Sequence, residues 1–178
     1  MGWKILKERF GITHYVQVIG KQLFIGSGYV HNLATIDLLT GDLKENSTFK
    51  GFLSEKYPDL LKATQEELLT LLALPDTFTR SIPVYTYDGG NIIEKQCETP
   101  EWPNVTHDGS MMYDNMFSTN KVEVVSWAKR NAALALQQTC TQIEETEKKL
   151  RELRAALQEY ESDQAKLDAE YPGIAAEE

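Results

Sequence analysis

The sequence predicts an α+β protein, with an antiparallel β-meander, hairpins and two short helices, followed by a long C-terminal coiled-coil helix. Short β-rich segments punctuated by glycines open the chain, and leucines at helical spacing follow. After Phe117, more than fifty residues pass without glycine or proline. The expected domains are a globular α+β domain at 1–117, the coiled-coil helix at 118–171 and a disordered tail at 172–178.

Four segments near the start predict the strands of the meander. They are short, contain valine, isoleucine, tyrosine or phenylalanine, and are separated by turn residues. Gly41 in "LLTGDL" supplies the positive φ that a tight reversal needs. The expected strands lie in "WKILKERF", "THYVQVIG", "KQLFIGSGYV" and "LATIDLLTGDL".

The next segment changes to a helical period and predicts helices near 52–61 and 65–73. Thr64 followed by Glu67 forms a capping box, and Pro75 ends the second helix. Two hairpins are then predicted, with turns at 88–90 ("DGG") and 107–109 ("HDG").

The long helix carries an a/d heptad pattern over about four to five heptads. Ser118 or Thr119 is expected to cap it. A parallel pairing would set Lys149 against Arg154, whereas an antiparallel pairing sets Glu147 against Arg154 and is favoured. The residues predicted to mediate homo-oligomerisation are Leu136, Ile143, Leu150, Leu153, Leu157, Tyr160 and Leu167.

Charge and composition narrow the classes of function. The formal net charge is −9, and residues 101–178 carry 8 Lys and Arg against 15 Asp and Glu. This acidity disfavours direct binding of nucleic acid, and the basic residues of "KILKERF" are expected to be solvated strand residues. No segment predicts a signal peptide or a membrane span, so the protein is expected to be cytoplasmic. Two cysteines without a CxxC pattern predict neither a disulfide framework nor a zinc site, and no cofactor is expected.

Catalytic signatures are sparse. The sequence has no GxSxG and no HExxH motif, and its histidines are His14, His31 and His107. His107 and Asp108, with another histidine brought near by the fold, could form a small metal-dependent hydrolase site. A turn between two strands is the favoured interpretation of this segment, and the chain is expected not to be an enzyme.

Candidate binding residues are cationic or aromatic. A pocket for a small nucleotide would need such groups to converge. The sequence supplies them as Lys21, Arg80 and Lys95 beside Tyr85 and Tyr87. Aromatic residues with polar tips also suit protein interfaces. The predicted binding residues are Lys21, Arg80, Tyr85, Tyr87, Lys95, Trp102 and Tyr113.

A small β-rich domain followed by "FSTNKVEVVSWAKRNAALALQQ", which opens a coiled helix, resembles small accessory proteins encoded by bacteriophages. The matching part is residues 117–157. This resemblance implies a non-enzymatic anti-defence role, in which a homo-oligomer binds, inhibits or sequesters a host factor. The expected partner is a host defence or regulatory protein, or a small nucleotide signal. The alternative is a phage assembly chaperone or minor virion structural protein.

Overall fold

The structure, a computed structural model, describes residues 1–173, so most of the tail expected at 172–178 lies outside the described residues. The contacts divide the chain into two units, the first at Met1–Lys129 and the second from Arg130 onward. The predicted α+β fold, with an antiparallel meander and a long C-terminal helix, is confirmed.

The described residues form five α-helices and eight strands. In chain order they are α1 Trp3–Arg9, β1 Tyr15–Ile19, β2 Gln22–Gly26, β3 Ala34–Asp37, β4 Leu43–Glu45, α2 Phe52–Lys56, α3 Pro58–Lys62, α4 Gln65–Ala73, β5 Ile82–Asp88, β6 Asn91–Cys97, β7 Asn104–Val105, β8 Met111–Met112 and α5 Lys121–Glu170, with a short 3-10 turn at Ser47–Phe49.

The meander is a four-stranded sheet in the order β1-β2-β3-β4, with every neighbouring pair antiparallel. Leu23 pairs with Val18 on one side and with Ile36 on the other, so apolar side chains from three strands share one face. Gly41, at φ +73°, makes the predicted turn between β3 and β4. Two separate hairpins, β5-β6 and β7-β8, follow as predicted.

The first predicted strand is wrong, because "WKILKERF" forms helix α1. Trp3 and Leu6 are buried at helical spacing, and Phe10 packs against the same core. Contact with the end of α4 fixes the start of α1: the Gly2 N–H donates to the Leu72 carbonyl at 2.9 Å. A Cβ on Gly2 would lie 2.0 Å from a backbone oxygen of α4, so only glycine fits there.

The helix predicted near 52–61 is interrupted and forms α2 and α3. Tyr57 separates them at φ −137° and ψ 61°, because a residue before proline is displaced from the helical region. The helix predicted at 65–73 is confirmed as α4, and the Thr64 hydroxyl caps it by accepting from the Glu67 N–H at 3.1 Å. The helix ends at Ala73, before Pro75.

The first unit buries two apolar clusters. The larger one joins α1, the face of the meander, α2–α4 and β7, and the smaller one joins the two hairpins. The larger cluster consists of Trp3, Leu6, Ile12, Val16, Leu23, Ile25, Ala34, Ile36, Leu53, Tyr57, Leu60, Leu68, Leu72 and Val105. The smaller cluster consists of Val84, Cys97, Met112 and Phe117.

The cap of helix α5 lies one or two residues later than predicted. Asn120 caps it by accepting from the Val122 N–H at 3.0 Å, whereas the Ser118 hydroxyl accepts from Asn120 and donates to Glu123. Val124 and Ala128 are buried, so the first turns of α5 belong to the first unit. None of the helices in residues 1–173 combines the length and the apolar character that crossing a membrane requires.

Candidate functional site

The "HDG" turn between β7 and β8 is held by a polar network. The Lys95 ammonium donates to Asp108 Oδ2 at 2.7 Å, and the Thr106 hydroxyl donates to Asp108 Oδ1. Burial disfavours the charged form of Asp108, but the hydrogen bonds from Lys95, Thr106 and the Ser110 N–H outweigh it and hold its pKa below the usual value. The oxygens of Asp108 are therefore occupied by contacts within the protein.

Gly109 attaches this turn to the edge of the meander. Its φ is +86°, and its carbonyl accepts from the Val18 N–H at 2.8 Å. A Cβ at this position would lie 2.6 Å from Val18 Cγ2. Both the backbone conformation and the close approach to Val18 require glycine. The structure of the turn is therefore sufficient to explain why position 109 is a glycine.

His107 belongs to a different environment from Asp108. Its ring stacks on Phe78 with centroids 3.7 Å apart and planes 4° apart, and its carbonyl accepts from Trp3 Nε1 at 2.9 Å. His107 Nε2 is buried without a hydrogen-bond partner. No hydrogen bond joins the His107 and Asp108 side chains within residues 1–173, and the hydrolase alternative stays a prediction.

The other two histidines lie elsewhere. His14 Nδ1 is hydrogen-bonded to the Tyr57 hydroxyl at 2.5 Å, and His31 Nδ1 lies 3.4 Å from the Tyr113 hydroxyl. Burial, and then the charges of Lys56 and Lys7, lower the pKa of His14. Across the described part of the chain, no three His, Cys, Asp or Glu side chains are grouped so that they could hold a metal ion.

The β5-β6 hairpin separates Lys95, one of the cations of the predicted nucleotide pocket, from the aromatic rings of that pocket. Lys95 pairs with Val84, whereas Tyr85 pairs with Glu94. Because directly paired residues share a face and the faces alternate along a strand, Lys95 lies on the opposite face from Tyr85 and Tyr87. A different cation, Lys121, contacts Tyr85, and its Nζ lies 5.6 Å from the ring centroid.

The remaining predicted binding residues are dispersed over the first unit. Lys21 is exposed in the β1-β2 turn, and Arg80 is exposed before β5. Trp102 packs against the smaller apolar cluster. Tyr113 follows β8, and burial, together with Tyr15, raises its pKa. The structure does not gather these residues into one site, and their role in binding stays a prediction.

A cavity that the sequence did not indicate lies along α1. It has a volume of about 430 Å³, within the range of small-molecule sites. We call it the α1 cavity, and it is lined by Trp3, Lys4, Lys7, Glu8, Gly11, Ile12, Thr13, Phe78, Glu98, Thr99, Asn104, Val105 and His107.

The two lysines of the α1 cavity differ in whether they form an ion pair with a carboxylate. Lys4 Nζ lies 2.9 Å from both carboxylate oxygens of Glu98, and it lies 5.0 Å from the ring centroid of Phe78. Burial opposes ionisation of Glu98, but hydrogen bonds from Lys4 and Thr79 lower its pKa overall. Lys7, by contrast, contacts the ring of Tyr15, with Nζ 6.0 Å from the centroid, and forms no ion pair within the described residues.

The second unit presents the predicted heptad positions of α5 as an exposed apolar stripe. Their exposed fractions range from 46% for Leu150 to 70% for Leu136. We use the name α5 stripe for Leu136, Ile143, Leu150, Leu153, Leu157, Tyr160 and Leu167. Large apolar side chains repeated along one face of a helix are typical of a surface that another helix covers.

Comparison of the chain with models of protein families, with curated proteins and with solved structures found no match.

Proposed function

We propose that this chain is a non-enzymatic, homo-oligomeric binding protein in which α5 pairs with α5 of a second copy. The observation that carries the proposal is the α5 stripe, which leaves seven large apolar side chains about half exposed or more. Covering the remaining surface of one such leucine stabilises the pair by about 1 kcal/mol, and the effect repeats along the helix. Self-association would hold two copies of the first unit on one scaffold and so make binding bivalent.

Charge complementarity favours a second copy in the antiparallel orientation. A pairing centred between Arg151 and Glu152 sets Leu150 against Leu153 of the other copy and Glu147 against Arg154. Each heptad contact then occurs twice, because the pair has twofold symmetry. In the parallel orientation Lys149 would face Arg154, which is repulsive.

The target of the oligomer is proposed from the phage resemblance alone. It is a host defence or regulatory protein, or a small nucleotide signal, which the accessory protein engages or sequesters. A pull-down from host lysate with the full-length protein, repeated with a variant that cannot pair through α5, would show whether capture depends on two linked copies.

The self-association step is tested by sedimentation equilibrium on the full-length chain and on Leu150→Glu. The wild type should be a dimer or a larger oligomer. The substitution places a carboxylate in two apolar layers per dimer, at a cost of ~2 kcal/mol each, which weakens the dimer by roughly a thousandfold. Leu134→Glu is the matched control, because Leu134 is also about half exposed, at 50%, but lies outside the a and d positions.

Helical content is compared by circular dichroism for all three proteins. Dissociation of Leu150→Glu with a retained Leu134→Glu oligomer supports pairing through the α5 stripe. A monomeric wild type, or equal dissociation constants for the two variants, contradicts it.

A further inference from the structure

Lys7 is a half-buried cation that lacks a counter-ion in residues 1–173. Burial lowers the pKa of its ammonium group, because the charged form loses solvation when it leaves water. An anion beside it would restore the favourable electrostatic interaction that the surrounding protein does not supply.

The other cation of the α1 cavity is not available in the same way. Lys4 is bonded to Glu98, and Glu98 Oε1 also accepts from the Thr79 N–H at 2.7 Å. Lys4 further donates to the Thr77 carbonyl at 3.0 Å. These bonds tie α1 to the segment before β5 and to the end of β6, so Lys4 has a structural role and Lys7 remains as the free positive charge.

The walls of the α1 cavity suit a flat apolar group. Trp3, Ile12 and Val105 are each less than a tenth exposed, and the Trp3 indole is fixed by its hydrogen bond to the His107 carbonyl. Phe78 adds an aromatic ring whose orientation is set by stacking on His107. Rigid aromatic and aliphatic walls with a few polar or charged groups are typical of a small-ligand pocket.

We propose that the α1 cavity binds a small aromatic monocarboxylate, with the carboxylate paired to Lys7 and the ring held against the apolar walls. A single unpaired lysine matches a single negative charge. The Glu8 and Glu98 carboxylates also line the cavity, and they would repel a di- or triphosphate more strongly than a ligand with a single negative charge. The proposal is independent of the pairing of α5, since every residue involved belongs to the first unit.

Isothermal titration calorimetry of the full-length protein at pH 7 tests the proposal with indole-3-carboxylate as the probe. Indole presents the ring without the charge, and inorganic phosphate presents an anion without the ring. We expect indole-3-carboxylate to bind with a Kd on the order of 1 mM or tighter, which is appropriate to a ligand this small. Both comparison compounds should bind at least about tenfold more weakly.

Two variants test separately whether binding needs the Lys7 charge and whether it needs the open volume of the cavity. Lys7→Met keeps an unbranched side chain and removes the ammonium, so binding should weaken about tenfold or more. Thr99→Phe fills part of the cavity and should abolish binding while leaving Lys7 in place. Lys44→Met is the matched control, because Lys44 is an exposed lysine on β4 that does not line the cavity.

Several results would overturn the proposal: no binding of indole-3-carboxylate to the wild type, unchanged affinity in Lys7→Met, or indole or phosphate binding as tightly as the probe. If Lys7→Met fails to fold by circular dichroism, Thr99→Phe decides the outcome, and unchanged affinity in that variant excludes this cavity. Equal weakening by Lys44→Met would show a nonspecific charge effect and would also count against the site.

Discussion

Replacing Gly109 by alanine should destabilise the first unit strongly, because the new methyl group meets two independent obstacles. The residue adopts φ +86°, a conformation that costs about 1 kcal/mol for alanine relative to glycine. The added Cβ would also lie 2.6 Å from Val18 Cγ2 and 2.8 Å from Val18 Cβ. Neither separation is tolerable between carbon atoms, so the turn must move away from β1.

The second obstacle is the larger one. Overpacking of this kind costs about 1–3 kcal/mol. Movement of the turn also stretches the hydrogen bond from the Val18 N–H to the Gly109 carbonyl, which is 2.8 Å long. Together, these effects predict a loss of about 2–4 kcal/mol in the free energy of unfolding of the first unit.

Gly89 provides a matched control in the other hairpin. It has φ +55°, but a Cβ there would meet nothing within 4 Å. Gly89→Ala should therefore lose only the backbone contribution, about 1 kcal/mol. The difference between the two variants isolates the contact with Val18.

The assay is urea unfolding followed by tryptophan fluorescence at fixed protein concentration. Trp3, Trp102 and Trp127 all lie in the first unit, so their emission reports on that unit. Relative to Gly89→Ala, the midpoint of Gly109→Ala should be lower by on the order of 1 M urea. Equal midpoints in the two variants would refute the argument that the turn is held closely against β1.

Two further predictions concern charge and orientation. The pKa of Glu98 is lowered because hydrogen bonds from Lys4 and a threonine outweigh the effect of its burial. The ionised carboxylate therefore stabilises the folded protein above the unfolded pKa near 4.5, and this stabilisation is lost as the pH falls through the folded pKa. The stability difference between wild type and Glu98→Gln should therefore shrink below that pH in urea titrations, and a constant difference would contradict it. In the antiparallel register Cys140 of one copy faces residue 161 of the other, so Glu161→Cys should give a covalent dimer with a short bismaleimide. The wild type should not form a covalent dimer, because its two Cys140 residues would lie about 30 Å apart along the helix axis and Cys97 is buried. A cross-linked wild type would exclude this register.

The turns were predictable because their chemistry is local. Gly41, Gly89 and Gly109 adopt the positive φ that tight turns require, and each lies where the sequence predicted a reversal. The cap at Thr64 was predictable for the same reason, since a hydroxyl and a backbone N–H three residues later need no information from the rest of the fold.

Helix α1 was not predictable by the same means. Seven residues give too few apolar positions to distinguish a helical period from a strand. What fixes α1 is a contact with α4, where the Gly2 N–H donates to the Leu72 carbonyl. That contact joins parts of the chain that are far apart in sequence.

The dispersal of the predicted binding residues could have been anticipated in part. A two-residue loop at Gly89–Gly90 makes Asp88 and Asn91 partners, and counting outward pairs Lys95 with Val84. This register already sets Lys95 and Tyr85 on opposite faces. The α1 cavity had no comparable signal, since its lining comes from four separated segments and from contacts such as Trp3 to His107, 104 residues apart.

Lys95 and Lys7 show why similar residues differ in what they can bind. Both are partly buried lysines, but Lys95 is bonded to Asp108 and Ser110, so a ligand would have to break bonds that hold the β7-β8 turn. Lys7 has no such bonds among the described residues, and an anion placed beside it gains the electrostatic interaction without displacing a protein partner. The two lysines therefore differ in their ability to bind an anion because the fold supplies hydrogen-bond acceptors to Lys95 and not to Lys7 among the described residues.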